Sequence, residues 1–281
     1  MVEAAAAAVN DRLGLEALMT DDLSDGRRCP SDGPSDRISA MTLLAGRGLG
    51  IGWRPEIHSY VAGLPGLRWC EVIAESAQHS VPAGLDSLIA RGVAVVAHGT
   101  RLSLGGAEPL QPGRVAGLAK AAELLGSPLV SEHIAYVRAD GTEAGHLLPI
   151  PRSRDALDVL VDNVKQVQAE LPVPIALEPI AALLEWPNQQ FTEPQFLTEL
   201  LDRTNAYLLL DIANLYANAR NHGRDTLAEL AELPLDRVAY CHVAGGSESA
   251  GLYHDTHTDP PPRRRCWSWS PRWPAARRRR R

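Results

Sequence analysis

The strongest constraint on what this chain can fold into is a rhythm of seven short aliphatic runs separated by longer helix-like stretches. The runs are "GLGIGW" (48–53), "WCEVIAE" (69–75), "VAVVAH" (93–98), "PLVSEH" (128–133), "PIALE" (174–178), "AYLLLD" (206–211) and "RVAYCH" (237–242). Between them lie segments such as "RVAGLAKAAELLG" and "SRDALDVLVDNVKQVQAEL". Near-continuous apolar strands joined by helical crossovers predict a parallel sheet covered on both faces. No G-x-G-x-x-G accompanies them, so the pattern predicts an α/β fold of the TIM (β/α)8-barrel type rather than an open dinucleotide-binding sheet. Seven runs leave such a barrel one strand short.

Chemistry enters at the ends of the runs. The third closes on His98, the fourth on Glu132 and His133, the fifth on Glu178, the sixth on Asp211 and the seventh on His242. Asn214 follows Asp211 by one helical turn, and Asp255 and His257 lie in the next loop. In a barrel every strand carboxyl end opens onto one face, so side chains distant in sequence converge there. Imidazoles, carboxylates and an amide are the ligand types of Fe, Mn and Zn. Their number exceeds what one ion needs, which predicts two or three metals with Glu178 able to bridge. Asp211 has a second reading as the N-cap of "IANLYANA". His58, Glu71, Glu75, Glu132 and Asn221 are candidates for supporting or substrate contacts; a buried salt bridge to Arg54 or a neighbour is the plainer reading of Glu71 and Glu75, and loop shaping that of Asn221. Strand alternation turns Cys241 away from the face that carries His242.

Charge narrows the partners. Nine of the 28 basic residues fall in 260–281 without an acid, leaving 19 against 34 acids, a net of −15, over residues 1–259. An acidic body is unsuited to phosphate backbones, so nucleic acid is not an expected partner. Four widely spaced cysteines make neither a zinc motif nor a disulfide framework, which fits a reducing cytoplasm. No apolar run reaches the length of roughly 20 residues that a membrane helix needs.

The flanks differ from the body. Residues 1–45, with polyalanine and "TDDLSDGRRCPSDGPSDR", read as a disordered leader or a mis-assigned start, Met41 being an alternative. Residues 46–259 form the metal-binding barrel domain, incomplete by one strand. Residues 260–281 read as an out-of-frame tail. One GC-rich codon choice for "CWSWSPRWP" (266–274), read one base earlier, gives the apolar run VLVVVAAVA. On that reading the chain is a truncated copy that binds metal incompletely.

The ordered motifs "GIGWRPEIH", "AHGTRLSLGG", "VSEHIAYV", "HLLPIPRSRDAL", "LLLDIANLYANARNHG", "CHVAGG" and "HDTH" resemble those of the multinuclear non-haem iron-dependent oxidases, the family of the methanobactin-biosynthesis oxidase. The resemblance spans roughly residues 46–258. It implies a TIM barrel carrying two or three irons, with zinc or manganese as alternatives. It also implies O2-dependent oxidation of cysteine residues in a ribosomally made precursor peptide, with a small leader-peptide-binding partner protein. Carried over by motif, the iron ligands are His98, His133, Glu178, Asp211, Asn214, His242, Asp255 and His257. Two departures stand out: the family's eighth-strand carboxylate has no match, and Pro179 replaces an Asn found in many members. The competing reading is a trinuclear zinc phosphodiesterase similar to the apurinic-site endonucleases, against which Asn214 stands where a histidine is expected.

Overall fold

The structure, a computed structural model, describes Leu44 and residues 47–257. The leader expected before residue 46 (Leu44 apart) and the tail expected over 260–281 lie outside the described residues. All seven aliphatic runs are strands: β1 (Ile51–Gly52), β2 (Trp69–Ile73), β3 (Ala94–His98), β4 (Val130–His133), β7 (Ile175–Glu178), β8 (Tyr207–Asp211) and β9 (Val238–His242). They form one parallel sheet whose neighbours follow chain order, β1-β2-β3-β4-β7-β8-β9. A doubly wound sheet reverses its order part-way. An unreversed order with crossovers is the winding of a (β/α) barrel, and that is the fold class here. Among the described residues there is no eighth parallel strand, and β1 and β9 are the end strands.

The period of two along each strand divides the core. Val96, Ala176, Leu209 and Tyr240 belong to an inner cluster with Leu129, against which Trp69 and Tyr207 pack. Their neighbours Val95, Ala97, Val130, Ile175, Leu177, Leu208 and Leu210 join the larger cluster shared with the helices. Two residues beyond each inner position stands a polar one: Glu71 after Trp69, His98 after Val96, Glu178 after Ala176, Asp211 after Leu209 and His242 after Tyr240. Side chains two apart share a face, so the inner face is apolar low in the barrel and polar at its carboxyl end. Cys241 packs against the outer cluster, as alternation predicts.

Helices α1 (His58–Ala62), α2 (Leu85–Ala90), α3 (Pro112–Leu125), α4 (Arg154–Glu170), α5 (Glu193–Thr204), α6 (Ile212–Asn221) and α7 (Thr226–Glu232) fill the connections. In α4 the buried side chains are Leu157, Leu160, Val161, Val164 and Val167, one stripe at helical spacing. Each fully buried aliphatic side chain contributes roughly 1.5–3 kcal/mol. Ser153 caps α4, and Thr192 with Gln195 forms a capping box on α5. No helix among the described residues is long and apolar enough to cross a membrane.

Two antiparallel hairpins, absent from the sequence reading, are inserted at the barrel's carboxyl end. β5 (Tyr136–Ala139) pairs with β6 (Thr142–Leu148), and β10 (Gly246–Ser249) pairs with β11 (Leu252–Asp255). Asp140 and Gly141 turn the first with φ of 48° and 69°; Ala250 and Gly251 turn the second with 51° and 79°. Positive φ at both central residues is the type I′ requirement.

Candidate metal centre

Glu178, the last residue of β7, is 2% exposed and sits among three imidazoles. Its Oε2 lies 3.5 Å from His98 Nε2 and 3.2 Å from His133 Nε2, while Oε1 lies 3.2 Å from His242 Nδ1. Asp211, at the end of β8, divides its two oxygens between two tasks. Oδ1 accepts from the backbone N–H groups of Ala213 (2.7 Å) and Asn214 (3.0 Å), capping α6. Oδ2 faces His257 Nε2 at 3.3 Å and His242 Nδ1 at 3.7 Å. The N-cap reading of Asp211 therefore holds, and its second oxygen faces two imidazoles.

Two trios of donors result, His98–His133–Glu178 and Asp211–His242–His257, each with its ligand atoms within 4.8 Å of one another. Glu178 Oε2 and Asp211 Oδ2 are buried, yet neither has a hydrogen-bond partner. An ionised carboxylate oxygen left so in a protein interior is costly unless a cation faces it. These orphaned oxygens, ringed by imidazole nitrogens, fit a borderline metal ion such as iron, zinc or manganese. His133 Nδ1 lies 3.2 Å from the Gly99 carbonyl oxygen, which can only accept. A proton therefore sits on Nδ1, and Nε2 is the nitrogen that faces Glu178.

The remaining candidates lie around the two trios. Asn214 donates its side-chain amide to the Pro179 carbonyl at 3.1 Å. Asp255 Oδ2 holds His257 Nδ1 at 2.6 Å. Asn221 clamps the backbone of Tyr253, accepting from its N–H and donating to its C=O at 2.8 Å each, and so docks the second hairpin on α6. Glu132 accepts from Leu102 N (3.1 Å) and His133 N (2.8 Å), and Glu75 accepts from Thr100 N (2.9 Å). These two carboxylates fix the loop after β3, whose Gly99 carbonyl orients His133.

His58 and Glu71 take different places. His58 is exposed and bonds locally, Nδ1 to the Pro55 carbonyl at 2.7 Å and Nε2 to Ser59 Oγ at 3.0 Å, so nothing draws it to the centre. Glu71 makes its buried ion pair with a neighbour, His242, and not with Arg54, which donates to the Trp53 carbonyl. Its Oε2 lies 2.8 Å from His242 Nε2 and 2.7 Å from Tyr240 Oη, inside the barrel. Sequence reasoning missed Tyr240 and Ser131 altogether; inner-face parity with His242 and His133 was the signal that could have found them.

Protonation follows from these contacts. Burial works against a charged Glu71, but the His98 and His242 imidazoles outweigh it and hold the carboxyl down at about 2. Burial likewise opposes a charged His242, yet Glu71 and Glu178 push it up to about 11. The nearby carboxylates of Asp211 and then Asp255 raise His257 to about 10. Burial lowers His98 below its ordinary range, and burial with the Glu71 charge keeps Tyr240 protonated. The imidazoles raised from 6.5 contribute stability that is complete below about 6.5 and lost as pH climbs through 10–11. Glu71, lowered from 4.5, contributes above about 4.5 and stops contributing as pH falls through 2. Urea denaturation of chelator-treated protein should therefore show falling stability from pH 7 to pH 10. His257→Gln should flatten part of that limb; an unchanged slope would refute the assignment.

Asp211 offers a second separable expectation. Asn is as good an N-cap as Asp, whereas Ala loses roughly 0.5–2 kcal/mol of cap stability. Asp211→Asn should keep its melting temperature within a few degrees and lose metal, while Asp211→Ala should lose both. Calorimetry and metal analysis on the pair check this.

A parallel α/β barrel with a histidine–carboxylate centre at its strand ends defines the class of the protein. Residues 48–269 match the model of the RiPP precursor modification enzyme family MbnB/TglH/ChrH, and the chain belongs to that family. It is 52% identical over 239 residues to a UPF0276 protein of Streptomyces avermitilis, covering 82% of this chain and 48% of the relative. UPF0276 proteins of Acaryochloris marina and Caulobacter vibrioides are each 34% identical, with 79% of this chain and 80% and 81% of theirs covered. The chain thus spans about half of the Streptomyces relative and about four fifths of the other two. Among solved structures it is similar to the 3-keto-D-glucoside 4-epimerase YcjR of E. coli (TM-score 0.48, 15% identity, 69% and 78% of the two chains). It is also similar to endonuclease IV of Thermus thermophilus (TM-score 0.48, 17% identity, 74% and 79%).

Proposed function

We propose that the chain is the barrel of an O2-dependent oxidase holding two or three irons, which modifies cysteine residues of a ribosomally made precursor peptide in the cytoplasm. A small leader-peptide-binding protein is its expected partner. The observation that carries the reading is the pair of orphaned buried oxygens, Glu178 Oε2 and Asp211 Oδ2, each faced by imidazole nitrogens.

His98, His133 and Glu178 would hold one ion and Asp211, His242 and His257 a second, with Glu178 presenting one oxygen to each group. Asn214 and Asp255 complete the ligand set carried over by motif. Bound iron supplies a Lewis-acid site for a thiolate and the redox chemistry of O2. The chain's own contribution is placement. The carboxylates offset the metal charge, the apolar layer beneath them keeps water from that side, and Glu75 and Glu132 hold the loop that orients His133. Leu183, Leu184 and Trp186, exposed on the loop that leaves Glu178, offer apolar surface to an incoming peptide.

Anaerobic loading with ferrous iron, metal analysis, and O2 uptake with a cysteine-containing peptide test the reading. Iron retention with peptide-dependent O2 uptake is expected. Retention of zinc alone, with phosphodiester cleavage, would overturn it in favour of the endonuclease-like alternative.

A further inference from the structure

Beneath the two donor trios runs an unbroken line of polar atoms that crosses the barrel. His98 Nδ1 lies 2.8 Å from Ser131 Oγ, Ser131 Oγ 2.7 Å from Tyr240 Oη, Tyr240 Oη 2.7 Å from Glu71 Oε2, and Glu71 Oε2 2.8 Å from His242 Nε2. All five side chains come from the strands β2, β3, β4 and β9, and Ser131, Glu71 and Tyr240 are buried.

Counting protons along this line gives it a direction. Two oxygens 2.7 Å apart need a hydrogen between them. A carboxylate can only accept, so the Tyr240 hydroxyl donates to Glu71. Tyr240 has no second proton, so the Ser131 hydroxyl must donate to Tyr240. Ser131 is then spent as a donor, and the hydrogen shared with His98 must come from Nδ1–H. At the far end His242 Nε2–H donates to the same Glu71 oxygen. Each donor is used once, and Glu71 is the sink for both arms.

We propose that Glu71 is a positioning residue that fixes the ring tautomer of His98 through Tyr240 and Ser131, and the ring orientation of His242 directly. His98 is thereby set to present its Nε2 lone pair to the space around Glu178, and His242 to turn its Nδ1 there. One carboxylate thus orients one imidazole from each trio. The device also accounts for the use of opposite ring nitrogens: the proton of each ring is drawn to the nitrogen that faces the line. Its benefit to metal binding rests on the reading of the centre as a metal site; the tautomers themselves do not.

The test uses the full chain labelled with 15N-histidine and freed of metal, read by long-range proton–nitrogen correlation spectra. Wild type should show His98 as the Nδ1–H form and His242 with its Nε2 protonated. Ser131→Ala and Tyr240→Phe should each release His98 from that form and leave His242 unchanged, whereas Glu71→Ala should release both. Zinc affinity of the first two variants should fall about 10–100-fold, the usual effect of losing a ligand's hydrogen-bond partner. Retention of the Nδ1–H form by His98 in both Ser131→Ala and Tyr240→Phe would overturn the proposal. Tautomer shifts as expected in a protein that takes up no metal would support the device while removing the metal reading, so the two fail separately.

Discussion

Glu178→Gln is expected to lose at least 100-fold in metal affinity and all measurable metal-dependent activity while the fold persists. The substitution keeps the volume of a buried side chain and removes the charge that faces His98, His133 and His242. Partners one step removed from a metal are worth about 10–100-fold in affinity, so a carboxylate shared by both trios should exceed that range. Metal analysis after equilibrium dialysis and the melting temperature of the metal-free variant are the measurements. Full metal content in Glu178→Gln would show that the trios are a buried ion-pair network and nothing more.

Asn218→Ala should be the most damaging substitution for stability outside the aliphatic core. Asn218 is 3% exposed; it donates to the Ile180 carbonyl at 2.9 Å and accepts from Ala182 N at 2.7 Å. It thereby ties the loop leaving β7 to α6. Its loss strands two main-chain groups, each worth about 1–3 kcal/mol when buried without a partner. A total of about 2–6 kcal/mol corresponds to a fall of roughly 4–24 °C for a chain of this size. Denaturant titration checks the figure, and a change under 0.5 kcal/mol would mean that water replaces the amide.

The sequence disclosed the barrel strands because burial on both faces makes them continuous aliphatic runs, and strand alternation then located Cys241. It disclosed His98, His133, Glu178, Asp211 and His242 because a polar group closing an apolar run is conspicuous. Glu71 was harder to place, since "WCEVIAE" ends on Glu75 and the deciding parity with Trp69 shows only once the inner face is known. Tyr240 and Ser131 were hidden because a hydroxyl inside a β-run reads as strand propensity. The Glu71–Tyr240 contact joins residues 169 apart in sequence, which no local pattern reports. The hairpins were overlooked for a different reason. "ADGT" carries the Asp-Gly turn signal in full, but a strand-and-helix rhythm leaves no slot for an extra antiparallel pair.

The second hairpin has a mechanical meaning. Asp211 is the first residue before α6, and the hairpin leading to His257 is fastened to the same helix through Asn221, the Tyr216–Tyr253 ring contact and the Arg220–Glu248 pair. Helix and hairpin form a single carriage. Asp211 ends β8 and pairs with His242 in the sheet, so both are held by the strands, whereas His257 reaches them at the end of the hairpin. The distance from His257 to Asp211 and His242 is therefore the adjustable dimension of the centre, and the five strand-end groups are the fixed part.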